Sequence, residues 1–244
     1  MRQTISSLLF FFVSSSFSQN ISGEELLQKA IEYHDPTNQW SDFYATLEIT
    51  LETPEKSNRY SRVSIDNLSN NFRLEEKRGN RIIKRAIKSD ECSISMNNKT
   101  EFSSEEVTKY HLTCERSLFM RDYYTYLYGL PMKLKDKGTI IDPVVLLKTF
   151  KGKDYLVLKV TYEKSVGNDT WFFYFNPTSY AMEIYQFFHD ETKNDGEYIL
   201  LKDISKINNM KLPKVRQWYV NKDNKYLGTD ILTKFSEFDY HEQN

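Results

Sequence analysis

The chain has 244 residues, with 33 Lys and Arg set against 34 Asp and Glu, a formal net charge of −1. That balance excludes the basic footprint of a nucleic-acid or anionic-membrane binder. Aromatic residues reach 15%, with 17 Tyr and 16 Phe, while Gly numbers only 8, a composition that favours strands and broad apolar surfaces over phosphate-cradling loops.

Met1 to Ser18 reads as a secretory leader. Arg2 gives a positive start, Leu8 to Val13 a compact apolar core, and Ser16-Phe17-Ser18 the small-x-small form of a cleavage site. The competing reading is a buried N-terminal strand. A leader places residues 19–244 in the periplasm as one mature domain. No Cys lies near the cleavage site, which argues against a lipid anchor, and no other apolar run nears ~18 residues, so no transmembrane segment is expected in the mature chain. Export also permits a disulfide between Cys92 and Cys114. Two buried free thiols are the alternative.

Ser22-Gly23-Glu24-Glu25 has capping-box spacing, and Leu26, Leu27, Ala30, Ile31 and His34 recur at helical spacing. Asp35-Pro36 ends this helix over 23–34, because a residue before Pro avoids the α region. Phe43 to Glu52 alternates cleanly between apolar and polar and reads as a half-buried strand. Further strands follow at 59–66, 71–77, 81–88 and 91–96. Ser103 opens a short helix into Tyr110.

Residues 114–130 form a helix with two apolar stripes. Phe119, Tyr123, Tyr126, Leu127 and Leu130 make one, and Met120, Tyr124 and Tyr128 the other, so the helix is expected to be enclosed in a concave sheet or to plug its mouth. Asp142-Pro143 marks an extended connection. Strands at 155–162, 169–175, 181–189, 197–204, 214–220 and 226–238 complete the series. The hairpin of 169–175 and 181–189 is apolar on both faces of its first strand and is taken as the middle of the sheet. About ten strands at short spacing give a mainly β, α+β fold with one large antiparallel sheet or partial barrel.

Candidate chemistry is sparse. Tyr123, Tyr124, Tyr126, Leu127 and Tyr128 on the helix, with Trp171, Phe173, Phe175, Tyr185 and Phe187 on the hairpin, either line an aromatic cavity or make up ordinary core. His34-Asp35 and His189-Asp190-Glu191 either gather for metal or acid–base work or serve as hydrogen-bonding anchors. Asp195-Gly196 after Lys193-Asn194 reads as a turn. No nucleophile elbow, P-loop, zinc-protease or dinucleotide motif occurs, so no catalytic residue, metal or cofactor is assigned.

Several long runs resemble a family of exported proteins, domain of unknown function 6503, found in Bacteroidota. They are Ala30-Ile31-x-Tyr33-His34-Asp35-Pro36-x3-Trp40, Leu112 to Arg116, Tyr123 to Leu134, Asp169-Thr170-Trp171-x-Phe173-Tyr174-Phe175, and His189-Asp190-Glu191-x-Lys193 to Ile199. That family is similar to the periplasmic lipoprotein carriers typified by LolA and LolB. The resemblance implies an incomplete antiparallel half-barrel with helices across its concave side, sheltering a lipid, a lipoprotein acyl chain or another apolar ligand. Two alternatives stand beside a carrier: a cell-envelope interaction module working through an exposed patch or sheet edge, and a hydrolase or metal-dependent enzyme built on His34 and His189.

Overall fold

The computed structural model describes residues 21–89 and 91–236, and the expected leader lies outside them. Helix α1 spans Gly23–His34 and starts with the reciprocal cap that the sequence spells out. The Glu25 amide donates to Ser22 Oγ at 3.3 Å, and the Ser22 amide donates to Glu25 Oε2 at 2.8 Å. Leu26, Leu27, Ala30 and Ile31 are buried against the sheet. Past the helix end, the Asp35 carboxylate accepts from the amides of Gln39 at 2.8 Å and Trp40 at 2.9 Å, which folds the chain into the first strand.

The strands are β1 (Tyr44–Thr53), β2 (Lys56–Asp66), β3 (Asn71–Arg78), β4 (Arg81–Lys88), β5 (Glu91–Met96), β6 (Thr139–Ile141), β7 (Leu146–Phe150), β8 (Lys153–Tyr162), β9 (Thr170–Phe175), β10 (Met182–Phe188), β11 (Glu197–Ile207), β12 (Met210–Val220) and β13 (Tyr226–Ser236). Among the described residues they form one sheet in the order β5-β4-β3-β2-β1-β13-β12-β11-β10-β9-β8-β6, with β7 beside β6 on the same edge of β8. The sheet consists of two antiparallel meanders joined where β1 pairs with β13, Ile49 lying opposite Leu232.

The middle of the sheet is therefore β13 and β12, not the β9–β10 hairpin, which lies toward one end. A hairpin's local pattern does not encode its place in the sheet. Strand β9 is apolar on both faces because a second cluster covers its outer face, where Tyr155, Val157, Phe172, Tyr174 and Ile184 are buried with Leu146 and Phe150 packed on them. The connection around Asp142-Pro143 contains the two short edge strands β6 and β7, which pair with successive halves of β8.

The two sheet edges are β5 and β6–β7, and the chain between them carries α2 (Ser104–Tyr110) and α3 (Cys114–Gly129). The topology thus makes the chain cross the open side of the sheet. The main core lies between the sheet and α1 and α3: Leu47, Val63, Phe72, Phe173 and Leu212 from strands meet Leu26, Met120, Tyr124 and Tyr128 from helices. Cys92 on β5 is bonded to Cys114, the first residue of α3, with Cα atoms 5.8 Å apart, so the crossing helix is tied covalently to the sheet edge it leaves.

Candidate aromatic pocket and the buried arginine row

Helix α3 is anchored at its start by Thr113, whose hydroxyl accepts from the Arg116 amide at 3.2 Å. Its first apolar stripe divides, Leu127 and Leu130 joining the second stripe in the core. Met120, Tyr124, Leu127 and Tyr128 are buried on the sheet. Phe119, Tyr123 and Tyr126 face a pocket of about 510 Å³ between α3 and the β8–β9 end of the sheet, whose other aromatic walls are Tyr162 and Trp171. The helix is not wholly enclosed, since Phe119 is 53% exposed at the pocket's edge. Asp122, Lys133, Asp136 and Asp169 also border the pocket.

Within the pocket, the hydroxyls of Tyr126 and Tyr162 meet at 2.6 Å. Burial pushes the Tyr126 hydroxyl well above the usual phenol range and Tyr162 up to about 12, so both stay neutral near pH 7. The Trp171 ring lies edge-on to Tyr126 at 5.5 Å, parallel to Phe173 at 5.9 Å and 4.9 Å from Phe187. Of the ten residues expected to meet a ligand, Tyr123, Tyr126 and Trp171 line this pocket. Phe187 is half-buried behind Trp171, while Tyr124, Leu127, Tyr128, Phe173, Phe175 and Tyr185 are buried in the core continuous with it.

The two histidine segments are not brought together. His34 is buried at the end of α1, its Nδ1 2.6 Å from the Lys211 carbonyl and its Nε2 accepting the Met182 amide at 3.0 Å. Nδ1 therefore carries the proton and donates. Burial holds the ring neutral by pulling its pKa down to about 4. His189 follows the far end of β10, about 20 Å along the extended strand from Met182. There its Nδ1 lies 2.7 Å from Asp169 Oδ1, and that hydrogen bond raises its pKa. Asp190 caps the turn Glu191–Lys193 by accepting from the Thr192 amide at 3.0 Å. Asn194 and Gly196 take the positive φ values, 52° and 80°, that the turn reading requires. Among the described residues, no three His, Cys, Asp or Glu side chains gather where they could hold a metal ion.

Sequence reasoning missed a row of buried charge on the floor beneath α3. Arg216 on β12 lies opposite Asp230 on β13, Asp230 opposite Leu51 on β1, and Leu51 opposite Arg59 on β2. Arg216 is 1% exposed and Asp230 8%. The Arg216 guanidinium stacks 4.0 Å above the Tyr128 ring and donates to the carbonyls of Pro213 at 3.0 Å and Leu127 at 3.2 Å. Arg59 donates to the Tyr124 hydroxyl at 3.3 Å and pairs with Glu76 at 3.5 Å. Two arginines thus link the sheet to α3 from below. Trp218 donates its indole N–H to Asp230 at 2.9 Å, and burial raises the Asp230 pKa. The available signal was side-chain parity: Arg216 has the parity of Leu212 and Trp218, and Asp230 that of Leu232.

Against this geometry the family match is decisive, for the model of a family of unknown function, DUF6503, covers residues 3–234. The chain belongs to that family. Two solved structures share the fold of this DUF6503 protein. The LolA superfamily protein NE2245 from Nitrosomonas europaea has TM-score 0.53 and 13% identity, covering 90% of this chain and 94% of its own. A putative outer membrane lipoprotein-sorting protein domain from Vibrio parahaemolyticus has TM-score 0.52 and 11% identity, covering 91% of this chain and 96% of its own. No curated protein sequence matches. The DUF6503 chain is thus an open, LolA-like half-barrel with helices over its concave side. No helix among its described residues is long and apolar enough to cross a membrane.

Proposed function

We propose that this protein is an exported, non-enzymatic carrier, with a leader at 1–18 and one half-barrel domain at 19–244, that shelters an acyl chain or another apolar ligand between α3 and the sheet. The observation that carries the reading is the aromatic pocket of about 510 Å³ framed by Tyr123, Tyr126 and Trp171. Its size falls within the ~300–1,000 Å³ of small-molecule sites, and its aromatic walls are bordered by the charged side chains of Asp122, Lys133, Asp136, Lys137 and Asp169. One structural neighbour is a LolA superfamily protein and the other a putative outer membrane lipoprotein-sorting protein domain, and this supports a lipid or lipoprotein acyl chain in the periplasm as the ligand. Each methylene buried there contributes about 0.8 kcal/mol, so a chain of about twelve carbons suffices for useful affinity after ordering costs.

Trp171→Arg places a charge in the pocket wall and is expected to weaken binding of a C12–C16 acyl probe by at least about tenfold. Tryptophan-independent calorimetry with micelle-free monoacyl probes measures this, and circular dichroism confirms that the variant folds. Equal affinity in the folded variant contradicts the pocket as the site.

A second reading rests on the sheet edge. Ile140 is 50% exposed, Val144 60% and Leu147 80%, all on or beside β6 and β7. Such a row suits docking to another envelope protein. Asp142→Lys or Leu147→Lys would disrupt that contact and leave acyl binding unchanged.

A further inference from the structure

An open pocket of about 230 Å³ lies where the β3–β4 hairpin meets the end of α2 and the first turn of α3. Its charge is one-sided. Arg59, Arg78, Arg81, Arg85, Lys109 and Arg116 line it, and Glu76 is the one carboxylate beside them among the described residues. Glu76 pairs with Arg59 at 3.5 Å, and one carboxylate cannot balance the rest. The chain's net charge of −1 does not show this local excess. A concave surface carrying one sign of charge concentrates counter-ions.

The fold holds these groups together against their repulsion. Arg78 and Arg81 stand directly opposite each other across the β3–β4 hairpin, a like-charge pairing that destabilises a sheet. The Arg81 guanidinium lies 4.6 Å above the Tyr110 ring, and that of Arg116 4.6 Å above Phe119. Arg85, 4% exposed, donates to the carbonyls of Tyr110 at 3.2 Å and His111 at 3.0 Å. These contacts fix the guanidiniums without neutralising them. Burial lowers the pKa of Arg85 and of Arg78, and neighbouring arginines lower both further. Two donors are left over. The Nε atoms of Arg85 and Arg59 are buried with no hydrogen-bond partner, on two side chains that line the pocket. Buried N–H groups of this kind call for an acceptor.

Size and valence select that acceptor. The volume is below the ~300–1,000 Å³ of sites for drug-sized molecules, so a small group fits and a whole acyl chain does not. A carboxylate brings two oxygens and one charge. A phosphate monoester brings three acceptor oxygens and about −1.5 to −2 charge at pH 7, and guanidinium forks match phosphate oxygens in pairs. We propose that this pocket binds a phosphate group, carried by a soluble phosphate ester or by a lipid headgroup. A lipid is one of the two sources because Phe119, on which Arg116 stacks, also borders the aromatic pocket. The site does not depend on the acyl-chain reading, since a phosphate without a chain tests it.

Calorimetry at low salt measures inorganic phosphate, glycerol 1-phosphate and monomeric myristoyl lysophosphatidic acid. The proteins are the wild type, the double variant Arg81→Gln/Arg116→Gln, Arg78→Gln, and a control, Lys222→Gln, in the exposed turn after β12. The wild type is expected to bind all three probes. The double variant is expected to weaken each by at least about tenfold and Arg78→Gln by about threefold, with the control unchanged. Circular dichroism confirms folding, and Arg78→Gln carries the test if the double variant does not fold. Under this result, equal affinity for glycerol phosphate and the lysophospholipid assigns the site to soluble esters. Binding of the lysophospholipid at least about tenfold tighter assigns it to a headgroup. Failure of the wild type to bind any phosphate probe overturns the site, as does an equal loss in the control. Monomyristoyl glycerol has the chain without the phosphate, so its failure to bind counts against the carrier reading and not against this site.

Discussion

His34→Ala is expected to lower the unfolding free energy by about 2–4 kcal/mol, because it opens a cavity and strips partners from two buried backbone groups. The imidazole joins the end of α1 to the Lys211 carbonyl of β12 and the Met182 amide of β10, three elements far apart in sequence. The same contact makes stability depend on pH. The folded ring has a pKa of about 4 against an ordinary 6.5, lowered chiefly by burial. The unfolded chain therefore takes up the proton first as pH falls. The contribution is complete above pH 6.5, is lost progressively from there down to about pH 4, and amounts to about 3 kcal/mol across that window. Urea unfolding at pH 7, 5.5 and 4.5, compared between wild type and His34→Gln, isolates this group from the carboxylates. A shallower pH slope in the variant is the expected result, and parallel slopes contradict it.

Replacing both cysteines with serine is expected to cost about 3 kcal/mol, the chain-entropy value for a loop of this length. Cys92 and Cys114 are 22 residues apart, and their bond ties β5 to the first turn of α3. The loss falls on the element that bounds the pocket. The expected signature is a lower urea midpoint together with faster amide exchange in the first half of α3, while β1 and β13 keep their protection. Thiol reduction of the wild type reproduces the double-serine midpoint. An unchanged midpoint in both would show that packing alone holds α3 in place.

Much of the fold was legible because local signals carried it. The capping box at Ser22 and Glu25, the alternation from Phe43 to Glu52, the turn residues Asn194 and Gly196 and the two stripes of α3 each reflect short-range geometry that sequence spacing records. The strand order was not legible. Pairing β1 with β13 joins residues about 180 positions apart, and nothing in either strand names the other. Edge strands β6 and β7 were hidden by their brevity and by Asp142-Pro143 between them. The aromatic residues were found, but whether a given one faced space or core depended on which stripe of α3 met the sheet. Tyr123 and Tyr124 are neighbours in sequence, yet Tyr123 lines the pocket and Tyr124 is 2% exposed in the core. The arginine row was missed for a different reason. Charged residues dispersed along strands read as a wet face, and only their parity with Leu212, Trp218 and Leu232 placed them inward.

The most direct measurement is native mass spectrometry of the protein purified from the periplasm of its expression host, with organic extraction of whatever leaves it. The carrier account predicts a mass excess that resolves into acylated molecules and that is absent from folded Trp171→Arg. A clean apo mass for the wild type, with no mass shift on addition of acyl esters, fatty acids or hydrocarbons, would contradict it. The aromatic pocket would then be packing, and the exposed edge at Ile140 and Leu147 would become the working surface.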